Sequence, residues 1–229
     1  MLNWFRPLAL GLAIIAVLML AASGPGVRFD AWSYRVGLSL FRWSAYVAIA
    51  AALLAVVVLA APGTRRVGIA SPLLALILGL AVFYVPFQFQ RQARAVPPIN
   101  DISTDTANPP QYMTTSRPYP GPEFARQQRA AYPDLASFVV PLARERAFAK
   151  ALAAAEAMGW EVVGRDAAAG RIEAVDTTKW FGFKDDIAIR VGAEGEGASR
   201  IDVRSKSRVG RSDLGTNARR IRAYLERLK

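Results

Sequence analysis

The 229-residue sequence contains no cysteine and no histidine. Without them a chain cannot build a Ser-His-Asp triad, a Cys-His nucleophile, a histidine general base, a thiolate zinc site or haem ligated by the usual protein groups. It cannot form a disulfide either, so cysteine content does not indicate a redox compartment. A large part of enzyme chemistry is therefore excluded, and we predict no cofactor.

Charged residues are absent from three apolar runs near the start of the chain, at residues 8–22, 43–61 and 67–90. About 20 apolar residues in a helix are enough to cross about 30 Å of hydrocarbon. We predict an all-α anchor in residues 1–90, with three transmembrane helices at about residues 2–22, 43–61 and 69–89. Ala21-Ala22-Ser23 leaves one alternative, that the first run is a cleaved secretory signal.

An apolar stripe separates the first two runs. Its members recur at spacings of three and four: Phe29, Trp32, Val36, Leu40 and Trp43. We interpret it as an amphipathic helix in the membrane interface, with the alternative that it begins the second span.

Arginines near the membrane give an orientation count. Three lie on the N-terminal side (Arg6, Arg65, Arg66) and five on the other (Arg28, Arg35, Arg42, Arg91, Arg94). The count favours a cytoplasmic large domain. However, the arginines of the stripe can serve lipid headgroups instead of setting topology.

Residues 91–133 hold eight of the fourteen prolines and show no helical or strand periodicity. We predict an extended segment here. Its aromatic residues, Tyr112, Tyr119, Phe124 and Tyr132, favour packing onto the domain that follows over free disorder.

Residues 134–229 alternate between strand and helix patterns. Strands are predicted at 135–140, 160–164, 171–176, 185–191 and 199–205, and helices at 142–158 and from Ser212 or Asp213 onward. The order β-α-β-β-β-β-α with short turns predicts an α+β domain, in which an antiparallel sheet has both helices on one face.

Three separated motifs resemble the family called domain of unknown function 1499. They are DISTDTANPP at 101–110, GRIEAVDTTKWFGFKDD at 170–186, and the stretch 202–221 with Ser205-Lys206-Ser207-Arg208 and Ser212-Asp213-Leu214-Gly215. The resemblance covers about residues 97–228. It implies no established activity, but it implies a stand-alone domain behind various membrane anchors. Exported members of the family favour a periplasmic domain, against the arginine count.

Acidic and hydroxyl residues in these motifs are the candidates for chemistry. Asp101 and Asp105, which flank Thr104, could share a divalent cation, although Asx-turns explain the pattern better. Asp185 and Asp186 suggest an acid and base pair, but neighbouring strand residues point to opposite faces. The same objection applies to a nucleophilic Ser205-Lys206 dyad.

Trp180, Phe181 and Phe183 surround Gly182 between two strands. The rings either fold onto the core or form an aromatic tip that contacts a lipid, a partner or an apolar ligand, with Lys179 and Lys184 beside it. The predicted ligand or partner surface thus comprises Asp101, Thr104, Asp105, Trp180, Phe181, Phe183, Asp185 and Asp186.

Residues 199–229 carry ten Lys or Arg against three acids. We predict that a basic patch forms here, with its arginines on the last helix facing outward; the alternative is a merely solvated face. The predicted members are Arg204, Lys206, Arg208, Arg211, Arg219, Arg220 and Arg222. A membrane tether makes anionic lipid the natural ligand, and no nucleic-acid motif accompanies the charge.

The sequence therefore predicts a multi-pass bacterial inner-membrane protein with a periplasmic domain that binds a lipid, an apolar or anionic envelope ligand, or a partner protein. Membrane lipids are the expected partners, and an envelope protein is a second candidate. One alternative is a carboxylate- and metal-dependent hydrolase or lyase that uses Asp101, Asp105, Asp185 or Asp186. Another is a structural subunit of a membrane complex, for which Ala75, Gly79 and Ala81 give only a weak signal.

Overall fold

The computed structural model describes residues 4–63 and 67–229. The chain divides into a helical unit, Met1–Gln92 with Lys179–Gly182, and an α+β unit, Ala93–Thr178 with Phe183–Lys229. The turn Lys179–Gly182 belongs to the helical unit by its contacts, although strands flank it in sequence. Leu2, Arg65 and Arg66, on which the predicted first span and the orientation count partly rest, lie outside the described residues.

Three long helices, α1 (Phe5–Arg28), α2 (Tyr34–Ala60) and α3 (Ala70–Ala95), are each long and apolar enough to cross a membrane. This confirms the predicted all-α anchor. Because α2 runs unbroken from Tyr34, most of the stripe from Phe29 to Trp43 is the first part of the second helix. The prediction of a separate interfacial helix is therefore wrong. The alternative, that the stripe begins the second predicted span, is right.

The three helices pack through a seam of small side chains. Its buried members are Ala9, Ala13, Ala16, Ala48, Ala51, Ala55, Ala75 and Gly79. A Cβ added at Gly79 would lie 2.8 Å from the Ala48 carbonyl oxygen, so the close approach requires glycine. Because lipid chains are as apolar as leucine, such close packing is what holds membrane helices together. Ala75 and Gly79 therefore serve packing within this chain.

The α+β unit contains an antiparallel sheet of six strands: β1 (Asp101–Ser103), β2 (Phe138–Val140), β3 (Glu161–Asp166), β4 (Arg171–Thr177), β5 (Lys184–Ala193) and β6 (Ser199–Ser207). The strand order is β1-β6-β5-β4-β3. The short strand β2 pairs with the first residues of β6 and β1 with its last residues, so both lie along one edge of β6.

Helices α5 (Arg144–Ala157) and α6 (Thr216–Arg227) cover one face of this sheet. Alternating residues of β4, β5 and β6 meet them in the core: Ile172, Ala174, Ile187, Ile189, Val191, Ile201 and Val203. Gly159, with φ of +76°, follows α5 as predicted, and the Asp213 carboxylate accepts the backbone N–H groups of Gly215 and Asn217 at the start of α6. The predicted α+β architecture is confirmed.

The opposite sheet face carries polar side chains and contacts residues 104–119, here called the strap. Glu173, Asp186 and Arg204 alternate with core residues on β4, β5 and β6, so their side chains point away from α5 and α6. Glu173 accepts the backbone N–H of Thr114 at 2.9 Å, and Tyr112 donates its hydroxyl to the Asp186 carbonyl at 3.2 Å. The sheet is thus sandwiched between two helices and the strap.

The proline-rich region differs from the predicted extended segment, because it also contains β1 and a helix, α4 (Pro122–Ala131). Pro122 occupies the first turn of α4, where its missing N–H costs nothing. Gln128 on α4 is 1% exposed, and its amide donates to the Ser103 carbonyl at 2.6 Å and accepts the Ser103 N–H at 2.9 Å. This side chain therefore occupies the free edge of β1 as a neighbouring strand would.

Candidate functional site

The centre of the strap face is an ion pair that is wholly buried. Arg204 on β6 donates Nε and Nη2 to the two carboxylate oxygens of Asp101 on β1, each at 2.8 Å, and both side chains are 0% exposed. Its remaining donors reach strap carbonyls, Pro110 O at 3.3 Å and Arg117 O at 2.9 Å. A bidentate pair with satisfied donors is the arrangement that tolerates burial. Arg204 therefore fastens the strap to the sheet.

Two strap tyrosines complete this buried site. The Arg204 guanidinium lies 4.9 Å from the centroid of the Tyr112 ring and 5.5 Å from that of Tyr119, within the range of cation–π contacts. Burial, followed by the nearby Asp101 charge, raises the pKa of Tyr119 to about 12. The same two causes raise the pKa of Tyr112 further. Both tyrosines are thus neutral donors at physiological pH.

A second cluster surrounds Asp186 on the same face. Its Oδ1 accepts from Arg208 Nε at 2.9 Å and Nη2 at 2.7 Å, and Arg117 Nη1 lies 3.1 Å from Oδ2. The hydrogen bond to Asp186 raises the pKa of Arg208. Lys206, opposite Asp186 in the strand register, places Nζ 3.1 Å from Asp101. Asp186 is buried, whereas the cations around it are partly exposed.

Asp105 and Asp202 form a third cluster with two arginines. Arg190 Nη2 lies 3.0 Å from Asp105 and 2.8 Å from Asp202, and Arg200 Nη2 lies 3.1 Å from Asp105. Asp105 Oδ1 also accepts the N–H groups of residues 107 and 108, which is the predicted Asx-turn. Thr104 pairs with β6 through its backbone and its hydroxyl. Two carboxylates and two guanidinium groups balance each other here.

The face covered by the helices holds a separate polar cluster, centred on Arg220 of α6. Its Nη2 donates to Asp185 at 2.6 Å, its Nε to Asp176 at 2.8 Å, and its Nη1 to Ser205 Oγ at 3.1 Å. Ser205 Oγ donates in turn to Asn217 Oδ1 at 2.7 Å. Asp185 and Asp186 therefore point to opposite faces, as strand alternation predicts.

These contacts decide what the predicted chemical groups can do. Asp101 and Asp105 bind different arginines and do not share a cation position, and no group of three or more metal-ligating side chains occurs in residues 4–63 and 67–229. Ser205 and Lys206 contact partners on opposite faces, so they form no dyad. The hydrolase hypothesis gains no support from this geometry.

The predicted basic patch needs correction. Arg204 is 0% and Arg220 6% exposed, so neither contributes to a surface. Each is buried in an ion pair with a carboxylate from a distant segment. Lys206, Arg208 and Arg222 are partly exposed and paired with Asp101, Asp186 and Asp134 respectively. Only Arg211 and Arg219 of the seven predicted members are exposed residues without an ion pair in the described chain. The prediction that the arginines of α6 face outward is wrong for Arg220.

The aromatic turn Lys179–Gly182 lies within the helical unit. Phe181 is 6% exposed, and its ring centroid lies 5.9 Å from that of Phe41 on α2. Arg28, at the end of α1, donates Nη1 to the Lys179 carbonyl at 2.8 Å. The Trp180 ring packs against Gly24, where an added Cβ would come within 2.2 Å of Cδ1, yet Trp180 stays 47% exposed.

Phe181 therefore packs with the membrane helices and not in the core of the α+β unit. Gly182, with φ of +68°, is needed for this turn, because an added Cβ would also lie 3.0 Å from the Arg28 Cα. Phe183, in the α+β unit, closes the turn: its backbone N–H donates to Thr178 Oγ1 and its carbonyl accepts the Thr178 N–H, each at 2.8 Å. Whether Trp180, Phe181 and Phe183 contact a ligand stays a prediction.

Sequence reasoning missed several residues of these clusters. Arg117, Glu173, Gln128, Arg190, Arg200 and Asp202 lie outside the candidates chosen from the motifs. A usable signal was the alternation of charged and aliphatic residues along β4, β5 and β6. The aliphatic residues lie on the core face, and the charged ones lie on the opposite face, which the strap covers.

Three apolar helices joined to an α+β unit with a strap define the class as a membrane-anchored α+β protein. The chain matches the model of the family described as Protein of unknown function (DUF1499) over residues 101–228, more than half of its length, and it belongs to that family. No curated protein matches it. The earlier resemblance is thereby confirmed.

Proposed function

We propose that this chain is a lipid-binding protein of a bacterial inner membrane, whose turn Lys179–Gly182 binds anionic lipid headgroups together with the adjacent helix ends. The observation that carries the proposal is the packing of this turn in the helical unit, with Phe181 buried against Phe41 and Trp180 half exposed. A half-exposed indole beside a lysine is typical of the headgroup level of a membrane.

Cations gather at the same end of the helical unit. The end of α3 meets the start of α2, where the Phe89 and Phe41 rings lie 5.0 Å apart. Exposed basic residues at this end are Arg28, Arg35, Arg42, Arg91 and Lys179, with Asp30 as an exposed acid. Each Lys or Arg near an anionic membrane surface adds about 1 kcal/mol of attraction. Exposed Trp43 and Tyr46 complete an aromatic and cationic belt.

The test is native mass spectrometry of the full-length protein released from nanodiscs with equal amounts of phosphatidylglycerol and phosphatidylcholine. We expect retention of phosphatidylglycerol, and loss of this preference in Lys179→Gln/Trp180→Ser. The matched control, Arg146→Gln/Val139→Ser, removes an exposed cation and an exposed apolar side chain from the α+β unit and should leave the preference unchanged. Equal retention of both lipids by the unmodified protein would contradict the proposal.

We infer further that the α+β unit lies in the periplasm. The resemblance to exported members of the family supports this side, whereas the arginine count favours the cytoplasm. Because the chain has no cysteine, a single Glu196→Cys in the exposed turn between β5 and β6 provides a unique label. A membrane-impermeant maleimide should label it in intact spheroplasts; labelling only after lysis would place the unit in the cytoplasm.

A further inference from the structure

Four cations lie close together where β5 begins and β6 ends. Lys184 is exposed at the start of β5, and Arg208 follows β6 and donates its backbone N–H to the Lys184 carbonyl at 3.0 Å. Two further cations complete the group: Lys206, which contacts the buried Asp101, and the strap residue Arg117, which contacts the buried Asp186. These four residues, Arg117, Lys184, Lys206 and Arg208, are here called the cationic corner.

The cationic corner has donors that no described side chain accepts. Arg208 uses Nε and Nη2 on Asp186, which leaves Nη1 open, and Lys206 Nζ has a single contact, with Asp101. The Lys184 ammonium group has no partner among the described residues. Three partly exposed side chains thus present unpaired donors to solvent.

The acids nearby offset most of this charge but not all of it. Asp101, Asp186 and Glu173 are each at most 2% exposed, and each is already bound, Asp101 by Arg204 and Glu173 by strap donors. Glu161 is the exposed acid whose charge acts on Arg208. With Arg204 counted, five cations therefore stand against the four acids Asp101, Asp186, Glu173 and Glu161. The surplus of one cation, together with the open donors, favours an anionic ligand.

We propose that the cationic corner is a binding site for a phosphate ester. Two guanidinium groups and two ammonium groups approach from a strap, two strand ends and a loop, and this set suits the several oxygens of a tetrahedral anion. A lipid headgroup and a free phosphate ester offer the same chemistry. The site goes beyond the proposed function, since it lies in the α+β unit and uses none of the residues assigned to the helix ends.

The experiment is calorimetric titration of glycerol 3-phosphate into the full-length protein in phosphatidylcholine nanodiscs. A second arm measures retention of phosphatidylglycerol by native mass spectrometry. We expect saturable binding in at least one arm, and at least about tenfold weaker binding when Lys184 and Lys206 are both changed to glutamine, because two charged hydrogen bonds are lost. Binding in the first arm that the lysine change weakens identifies a free ester as ligand. Phosphatidylglycerol retention that the lysine change weakens, without binding in the first arm, identifies a lipid, because retention at the turn Lys179–Gly182 does not depend on Lys184 and Lys206.

The lysine variant should keep its fold, since Asp101 retains its two bonds from Arg204. Arg208→Gln is a second variant, and hydrogen exchange of β6 verifies that each remains folded. Arg146→Gln/Arg165→Gln removes two exposed cations elsewhere and should leave binding unchanged. The proposal would be overturned by the absence of saturable binding in both arms, by binding that neither Lys184→Gln/Lys206→Gln nor Arg208→Gln weakens, or by equal weakening in this control. The lysine variants leave Lys179 and Trp180 intact, so their failure is distinct from failure of the proposed function.

Discussion

Replacing Arg204 by methionine should be among the most damaging single changes in the α+β unit. It leaves the Asp101 carboxylate, 0% exposed, with Lys206 Nζ as its remaining ionic partner at 3.1 Å. It also removes the donors to Pro110 O and Arg117 O and the contacts with two tyrosine rings. Breaking a buried ion pair on one side costs about 3–5 kcal/mol. We expect a loss of that size.

Hydrogen–deuterium exchange of the full-length protein measures this loss where it should appear, in the strap and in β1. Arg204→Met should expose both segments to exchange, while Arg146→Met, which removes an exposed arginine from α5, should not. The double variant Asp101→Asn/Arg204→Met removes the stranded charge and should be more stable than Arg204→Met alone. A cost below about 1 kcal/mol, or a double variant less stable than the single one, would refute the assigned role of this pair.

Three further changes test other parts of the structure. Gln128→Leu should cost about 1–3 kcal/mol for each orphaned backbone group of Ser103, and β1 should lose exchange protection first; unchanged protection would contradict this. Gly79→Val should lower the thermal stability of the full-length protein in detergent, whereas Gly11→Val, where an added Cβ meets nothing within 4 Å, should not. Burial raises the pKa of Asp213 above its ordinary 3.8, so its contribution to stability is full below that pH and is lost as pH rises through the raised pKa. Relative to Asp213→Asn, the unmodified protein should therefore lose stability over this range in thermal unfolding at stepped pH, and a constant difference would contradict the assignment.

Local patterns were sufficient for most of the fold. Uncharged runs predicted the three helices of the anchor, alternation with turn glycines predicted β3 to β6, and helical spacing before Gly159 predicted α5. The proline-rich segment was harder, because β1 has three residues and α4 has ten, too few for a clear period. What fixes them is long-range pairing, such as Ile102 with Ser205 and Gln128 with Ser103, which no local pattern contains.

The candidate site shows the same limit. The motifs supplied Asp101, Asp185, Asp186, Arg204 and Arg220, but treating the acids and the bases as separate groups missed that they neutralise each other. Their pairing joins residues up to 103 positions apart in the chain. Charge counting along a segment therefore overestimated the surface that Arg204 and Arg220 provide.

The most direct test of the central claim is the depth of the turn Lys179–Gly182 at the membrane. The chain has no cysteine, so Trp180→Cys labelled with bimane reports on this position alone, and Val163→Cys on β3 is a control of similar exposure. The account predicts strong quenching at position 180 by lipids spin-labelled on the headgroup, well above that at position 163. Quenching at position 180 no stronger than at the control would contradict it.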